Sequence, residues 1–114
     1  MPPNEMEVLQ GTLDLLVLRA LSFGPSHGYA VSRFIRTGSR QHLNIQDGAL
    51  YTALHRLEAR GLIDSKWGHS DKGKRAKFYQ LNSAGRTRLR EAVALWSRYA
   101  DAVNDVLKAI PQEA

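Results

Sequence analysis

Between residues 66 and 90, eight basic side chains (Lys66, Lys72, Lys74, Arg75, Lys77, Arg86, Arg88 and Arg90) stand against a single acid, Asp71. Elsewhere the chain is balanced or slightly acidic: residues 1–65 hold six Arg and six acidic groups, and residues 91–114 hold two basic and four acidic groups. The net charge of +5 and the sequence pI near 9.9 therefore arise in one segment. Clustered ammonium and guanidinium groups hold a polyanion by Coulomb attraction and counterion release, whereas scattered ones merely keep a surface hydrated. Other chemistries lack their parts. With no cysteine there is no disulfide, thiolate ligand or thiol nucleophile. His27, His42, His55 and His69 are isolated, with no partner at metal-ligand spacing. No nucleophile elbow, phosphate loop or paired-carboxylate cleft is present. Neither a catalytic residue, a metal nor a cofactor is expected.

The segment just before the basic cluster is built to approach a groove. Asp47 is expected to cap a helix ending at Gly61. Leu50, Ala53, Leu54 and Leu57 fall on its inner side. Gly48, Thr52, His55 and Ala59 lie opposite, with Tyr51 and Arg56 on the flanks. The outer face is small at its start and polar beyond, which suits a recognition helix whose first turns meet base edges. Residues 62–67 and 76–81 then read as two strands around the polar loop Gly68–Arg75, a hairpin whose tip is expected to be mobile without a partner. A helix for the groove and a basic hairpin for phosphate is the layout of a winged helix meeting DNA.

The remaining elements must hold that pair. A first helix is expected from about Val8 to Ser22, apolar nearly all round and so buried on two sides. Phe23-Gly24-Pro25-Ser26 stops it, and Ser26 is expected to cap a second helix from His27 to about Thr37. Its inner side uses Tyr29 or Ala30 with Phe34, joined by Val31 and Ile35. The loop from Arg40 to Gln46 brings Arg40 towards phosphate. The last helix begins at Asn82 or Ser83. Its apolar positions Leu89, Val93, Trp96, Ala100, Val103, Leu107 and Ile110 alternate spacings of four and three, an a/d heptad. At 1.5 Å per residue, Gly85 to Ile110 spans roughly 39 Å, enough to overhang so small a core. A second subunit is the expected cover, with Leu9 and Leu13 of the first helix in the same interface. The bland reading folds this helix back over its own core.

Several segments together resemble the PadR family of bacterial winged-helix transcriptional regulators. They are Leu9-Gln10-Gly11-Thr12-Leu13-Asp14-Leu15-Leu16-Val17-Leu18, His27-Gly28-Tyr29-Ala30, Gly48-Ala49-Leu50-Tyr51 with Leu54-His55-Arg56-Leu57-Glu58 and Gly61-Leu62-Ile63, and Arg75-Ala76-Lys77-Phe78-Tyr79-Gln80-Leu81 with Gly85-Arg86. They cover roughly residues 9–90 in order, and the Trp-bearing final helix resembles the short-tailed subgroup. The resemblance implies a homodimer joined through the first and last helices, and repression through an inverted repeat in a promoter. In some members of that family a planar aromatic compound lodges at the dimer interface against aromatic side chains of the last helix, and Trp96 is the residue at that place in this chain; others have no identified effector. Two positions depart from the family pattern. Thr52 stands where the family usually has Pro, which bears on base preference. Asn82 stands where it usually has Thr, and both cap a helix.

The expected fold is therefore mainly α with a small β-hairpin wing: a winged helix-turn-helix over residues 1–82 and a C-terminal dimerisation helix over 83–114. The expected partners are double-stranded DNA, a second copy and a small aromatic effector, without a membrane, in the cytoplasm. The expected DNA contacts are Arg40, Gln46, Tyr51, Thr52, His55, Arg56, Lys72, Lys74, Arg75 and Lys77. The expected dimer contacts are Leu9, Leu13, Leu89, Val93, Trp96, Ala100, Val103 and Leu107. Four structural alternatives bear on these sites: Tyr51 packing on the wing, His55 as a solvent-exposed spacer, Lys77 or Arg75 leaning on Tyr79, and Trp96 as an ordinary interface anchor, the favoured reading of that residue. The competing function is a protein-interaction module whose basic wing docks an acidic partner.

Overall fold

The structure, a computed structural model, describes the backbone of residues 6–7 and all of residues 11–112. Among the described residues nine elements follow one another: β1 (Met6–Glu7), α1 (Leu13–Leu21), β2 (Ser26–His27), α2 (Gly28–Gly38), β3 (Leu43–Asn44), α3 (Asp47–Ala59), β4 (Ile63–His69), β5 (Arg75–Leu81) and α4 (Ser83–Lys108). The protein is mainly helical with one small antiparallel sheet, in the order β2-β5-β4. This is the winged helix-turn-helix expected, with α2 and α3 as the helix pair and β4–β5 as the wing. A second, two-stranded pairing joins β1 to β3 in parallel. No helix among the described residues is long and apolar enough to cross a membrane.

The core lies where α1, α2, α3 and the root of the wing meet. Val17, Leu18, Ala20 and Leu21 of α1 pack with Val31 and Ile35 of α2, Leu50, Ala53, Leu54 and Leu57 of α3, and Ile63, Tyr79 and Leu81 of the wing. The leucine stripe of α3 is thus wholly inside. Gly61 ends that helix in the left-handed region (φ +75). Its N–H donates to Glu58 O at 3.0 Å, and Leu62 N–H donates to Leu57 O at 3.1 Å. This paired 5→2 and 6→1 arrangement is the one glycine permits at a helix end.

Several expectations need correction. Within the described residues α1 begins at Leu13, with Thr12 as its N-cap and Gly11 just before in a left-handed turn (φ +91). Val8 and Leu9 lie outside the described residues. Ser26 does not cap α2; it is a strand residue opposite Tyr79. The cap is His27, whose Nδ1 accepts the Ala30 N–H at 3.2 Å. Tyr29 and Phe34 do not enter the core: they are 67% and 41% exposed. Phe34 instead meets Phe23 outside the core, ring centroids 5.4 Å apart. Asp47 is the first helical residue of α3, and the N-cap is Gln46. A carboxylate in the first turn still favours the helix through its dipole. The expected hairpin loop closes through a turn: Gly73 N–H donates to Ser70 O and Ser70 N–H to Lys74 O, each at 2.8 Å, with Gly73 left-handed.

Asn82 starts α4, its Oδ1 accepting the Gly85 N–H at 2.9 Å. Its Nδ2 donates to Gly61 O at 2.9 Å, so the same side chain ties the head of α4 to the end of α3. Gly85 completes this junction. A Cβ there would lie 2.1 Å from Leu62 O, so only glycine lets the two backbones cross so closely. Beyond the junction α4 buries Leu89 and then leaves the core. The molecule measures 65 × 36 × 20 Å, long for its mass because α4 projects from it.

Candidate nucleic-acid interface

The outer face of α3, the base of the wing and the start of α2 enclose an open cleft of about 740 Å³. Gly48, Tyr51, Thr52 and His55 are exposed along the outer side of α3. Tyr51 does not stand free. Its ring lies on the first residue of α2, where a Cβ on Gly28 would come within 2.8 Å of the phenol oxygen. Glycine at position 28 is therefore what seats Tyr51 at the mouth of the cleft. Tyr51 thus rests on α2 in the cleft that it shares with Lys77 and Tyr79 of the wing, 45% exposed.

The basic residues differ in how they are held. Arg56 turns away from the cleft: its Nε donates to Asp14 Oδ2 at 3.2 Å and its Nη2 to Oδ1. That hydrogen bond raises its pKa further above the usual guanidinium value, and the two-point contact ties α3 to α1. Lys77 is half-buried, its Nζ 3.6 Å from Glu58 Oε1 and 5.6 Å from the centre of the Tyr79 ring. Glu58 also accepts from Ser65 Oγ, so one carboxylate of α3 gathers both strands of the wing. Arg75 is exposed, with its guanidinium 4.4 Å over the Trp67 ring. Lys72 and Lys74 are exposed on the turn beyond it. At the root, burial pushes the Tyr79 phenol up from its usual pKa, with help from the negative charge of Glu58.

Arg40 and Gln46 frame the entrance to α3. Both are exposed. Arg40 and Gln41 carry φ of 55° and 67°, a left-handed pair closing the end of α2 without glycine. Such backbone costs about 1–2 kcal/mol per residue, so the loop is held by its surroundings. Ser39 Oγ, which accepts from Leu43 N–H at 3.0 Å, is one of those restraints.

The residues expected at a dimer contact divide. Leu89 is in the chain's own core, and Leu13 packs against it. Val93, Trp96, Val103 and Leu107 are 45%, 42%, 38% and 76% exposed, and Ala100 is half-buried. Trp96 sits 6.2 Å from the Tyr99 ring and lines a groove of about 390 Å³ between α1 and α4. Sequence reasoning passed over Trp67 and Glu58. The signal for both lay in strand register, which puts Trp67 on the face that carries Arg75 and Lys77, and Ser65 on the face that meets Glu58.

A similar arrangement occurs in known proteins. Residues 17–91 match the transcriptional regulator PadR-like family. A transcriptional regulator from Clostridium thermocellum superposes with a TM-score of 0.78 at 28% identity, over 87% of this chain and 93% of that one. A PadR family transcription regulator from hypervirulent Clostridium difficile gives 0.74 at 28% identity, over 85% and 99%. An uncharacterized 37.1 kDa transposon protein of Streptomyces fradiae is 37% identical over 88% of this chain, which spans 27% of that protein's length. With a matching segment that covers well over half of its length, the chain belongs to the PadR-like family of transcriptional regulators, DNA-binding winged-helix proteins rather than enzymes.

Proposed function

We propose that two copies associate through α1 and α4 and repress transcription by binding an inverted repeat. The observation that carries this reading is the apolar stripe on α4, with Val93, Trp96, Val103 and Leu107 uncovered on a helix that leaves its own core. A two-fold pair of such helices covers both stripes and fixes the spacing of two α3 helices, for successive major grooves about 34–36 Å apart. Tyr51, Thr52 and His55 then face base edges. Arg40 and Gln46 hold the adjacent backbone, Lys72 and Lys74 take flanking phosphates, and Arg75 stands at the flanking minor groove. Arg56 and Lys77, engaged with Asp14 and Glu58, contribute less. Residues 1–82 form the reading head and residues 83–114 the dimerisation arm, as in the short-tailed subgroup. The site of action is the cytoplasm, where the DNA is.

An effector completes the reading. The groove between α1 and α4 offers Leu15, Leu95, Trp96 and Tyr99 with Arg60 and Arg88 at its edges. A planar aromatic molecule stacking on Trp96 there changes the preferred angle between subunits only if it binds the two dimer shapes unequally.

Selection of bound duplexes from random DNA, followed by mobility shift across a salt series, tests the whole. An inverted repeat is expected. If a dimer neutralises about six to ten phosphates, affinity falls on the order of a thousand-fold or more between about 50 and 200 mM salt. Indifference to DNA sequence, with tight binding to an acidic protein, replaces this reading with the interaction module. A monomer at micromolar concentration removes the dimer.

A further inference from the structure

One face of the wing grades from core to solvent. Ser65, Trp67 and His69 of β4 stand opposite Tyr79, Lys77 and Arg75 of β5, so all six share that face. Tyr79 at the root is buried. One step out, Lys77 is shared with Glu58. One step further, Arg75 is exposed but not loose, since its guanidinium lies 4.4 Å over the Trp67 ring. Arg75 is diagonal to Trp67 across the strand pair, a separation long side chains span. Beyond it Lys72 and Lys74 stand exposed on the turn. Arg75 is thus a cation near the wing tip that rests against an indole.

Trp67 has no core to fill: it is 59% exposed. A bland surface stack would account for the contact but not for its place. Trp67 and Arg75 line the same cleft as Tyr51 and His55 of α3, the face turned to DNA. A guanidinium resting over an indole keeps N–H groups free at its edge and gives up little further freedom on binding. Thin, planar and cationic, that edge fits a narrow minor groove, whose potential is more negative than that of a wide one.

We propose that Trp67 is a positioning residue. It presents Arg75 to the minor groove flanking each half-site, so that the protein selects groove width there rather than bases. The inference rests on the DNA-binding reading above and adds a specificity determinant to it. The selected site is placed in duplexes whose flanks are either A-tracts or G·C runs, and the intact protein is titrated at fixed salt. The wild-type chain binds the A-tract form several-fold more tightly. Trp67→Ala and Arg75→Lys each bring that ratio to about 1. Neither changes the number of positive charges, so the salt slope stays nearly constant, a readout that general damage to the wing would move. Trp67→Phe restores most of the preference. The double variant is no worse than either single one, because both remove the same contact. Should Trp67→Ala not fold, Arg75→Lys decides, since Arg75 is exposed. A wild-type ratio retained in Arg75→Lys or in a folded Trp67→Ala, or a wild-type protein that selects its site with no flank preference, overturns the role of Trp67 and leaves the DNA reading standing. A wild-type protein that selects no site overturns both.

Discussion

Helices α3 and α4 are both amphipathic, and the chain treats them in opposite ways. In α3, thirteen residues long, Leu50, Ala53, Leu54 and Leu57 are all buried by the rest of the same chain. In α4, twice that length at 26 residues, only Gly85 and Leu89 are buried. The contrast separates two kinds of stability. The apolar face of α3 is satisfied within one molecule and does not depend on concentration. That of α4 leaves Leu95, Tyr99, Val106 and Leu107 more than half exposed, the face that the proposed second copy would cover.

Four changes break or sharpen that contrast. Leu54→Ala, at a site with 0% exposure, is expected to destabilise the fold by about 2–5 kcal/mol. Urea unfolding measures this, and the loss should be the same at every protein concentration. Val103→Asp with Leu107→Asp should instead leave the isolated head folded while abolishing self-association, read by sedimentation equilibrium. Operator affinity should then fall by about a hundred-fold or more, because the second head no longer benefits from tethering. Next come the cations. Lys72→Ala and Lys74→Ala should each flatten the plot of log affinity against log salt by about 0.9 for every phosphate left without its cation, and Lys77→Ala by less, since Glu58 already shares its charge. Equal slopes for Lys72 and Lys77 would contradict that ranking. The smallest effect is expected at Arg40, whose φ of 55° suits glycine better. Arg40→Gly should raise stability by about 0.5–1 kcal/mol after the entropy of the freer unfolded chain is subtracted. It should at the same time weaken DNA binding, seen by pairing thermal unfolding with mobility shift.

Regular patterns made the functional elements legible before any coordinates. The leucine spacing of α3, the glycine closing it, the wing strands and the heptad of α4 each depend on residues a few positions apart, where local geometry dominates. What escaped depended on distant partners. Ser26 has the chemistry of a cap, yet pairing with Tyr79 draws it into a strand and passes the cap to His27. Arg56 has the position of a DNA contact, yet Asp14, 42 residues earlier, binds it with two hydrogen bonds. Phe34 has the hydrophobicity of a core residue, yet Phe23 meets it on the outside. Among the site residues, helix projection placed Thr52 and His55 on the outer face and Tyr51 on its flank. It gave no sign that Tyr51 would need the bare backbone of Gly28 beneath it.

The crossing of Gly85 over Leu62 acts as a fulcrum. On one side lies the reading helix, held through Gly61 and Asn82; on the other, an arm from Gly85 to Lys108 of roughly 35 Å at 1.5 Å per residue. A tilt of about ten degrees at that point carries the far tip through about 6 Å, given the arm's length. Force applied at the tip is multiplied at the pivot in the same proportion. A methyl group at residue 85 would prise the two backbones apart, and with them the angle at which arm and head are joined.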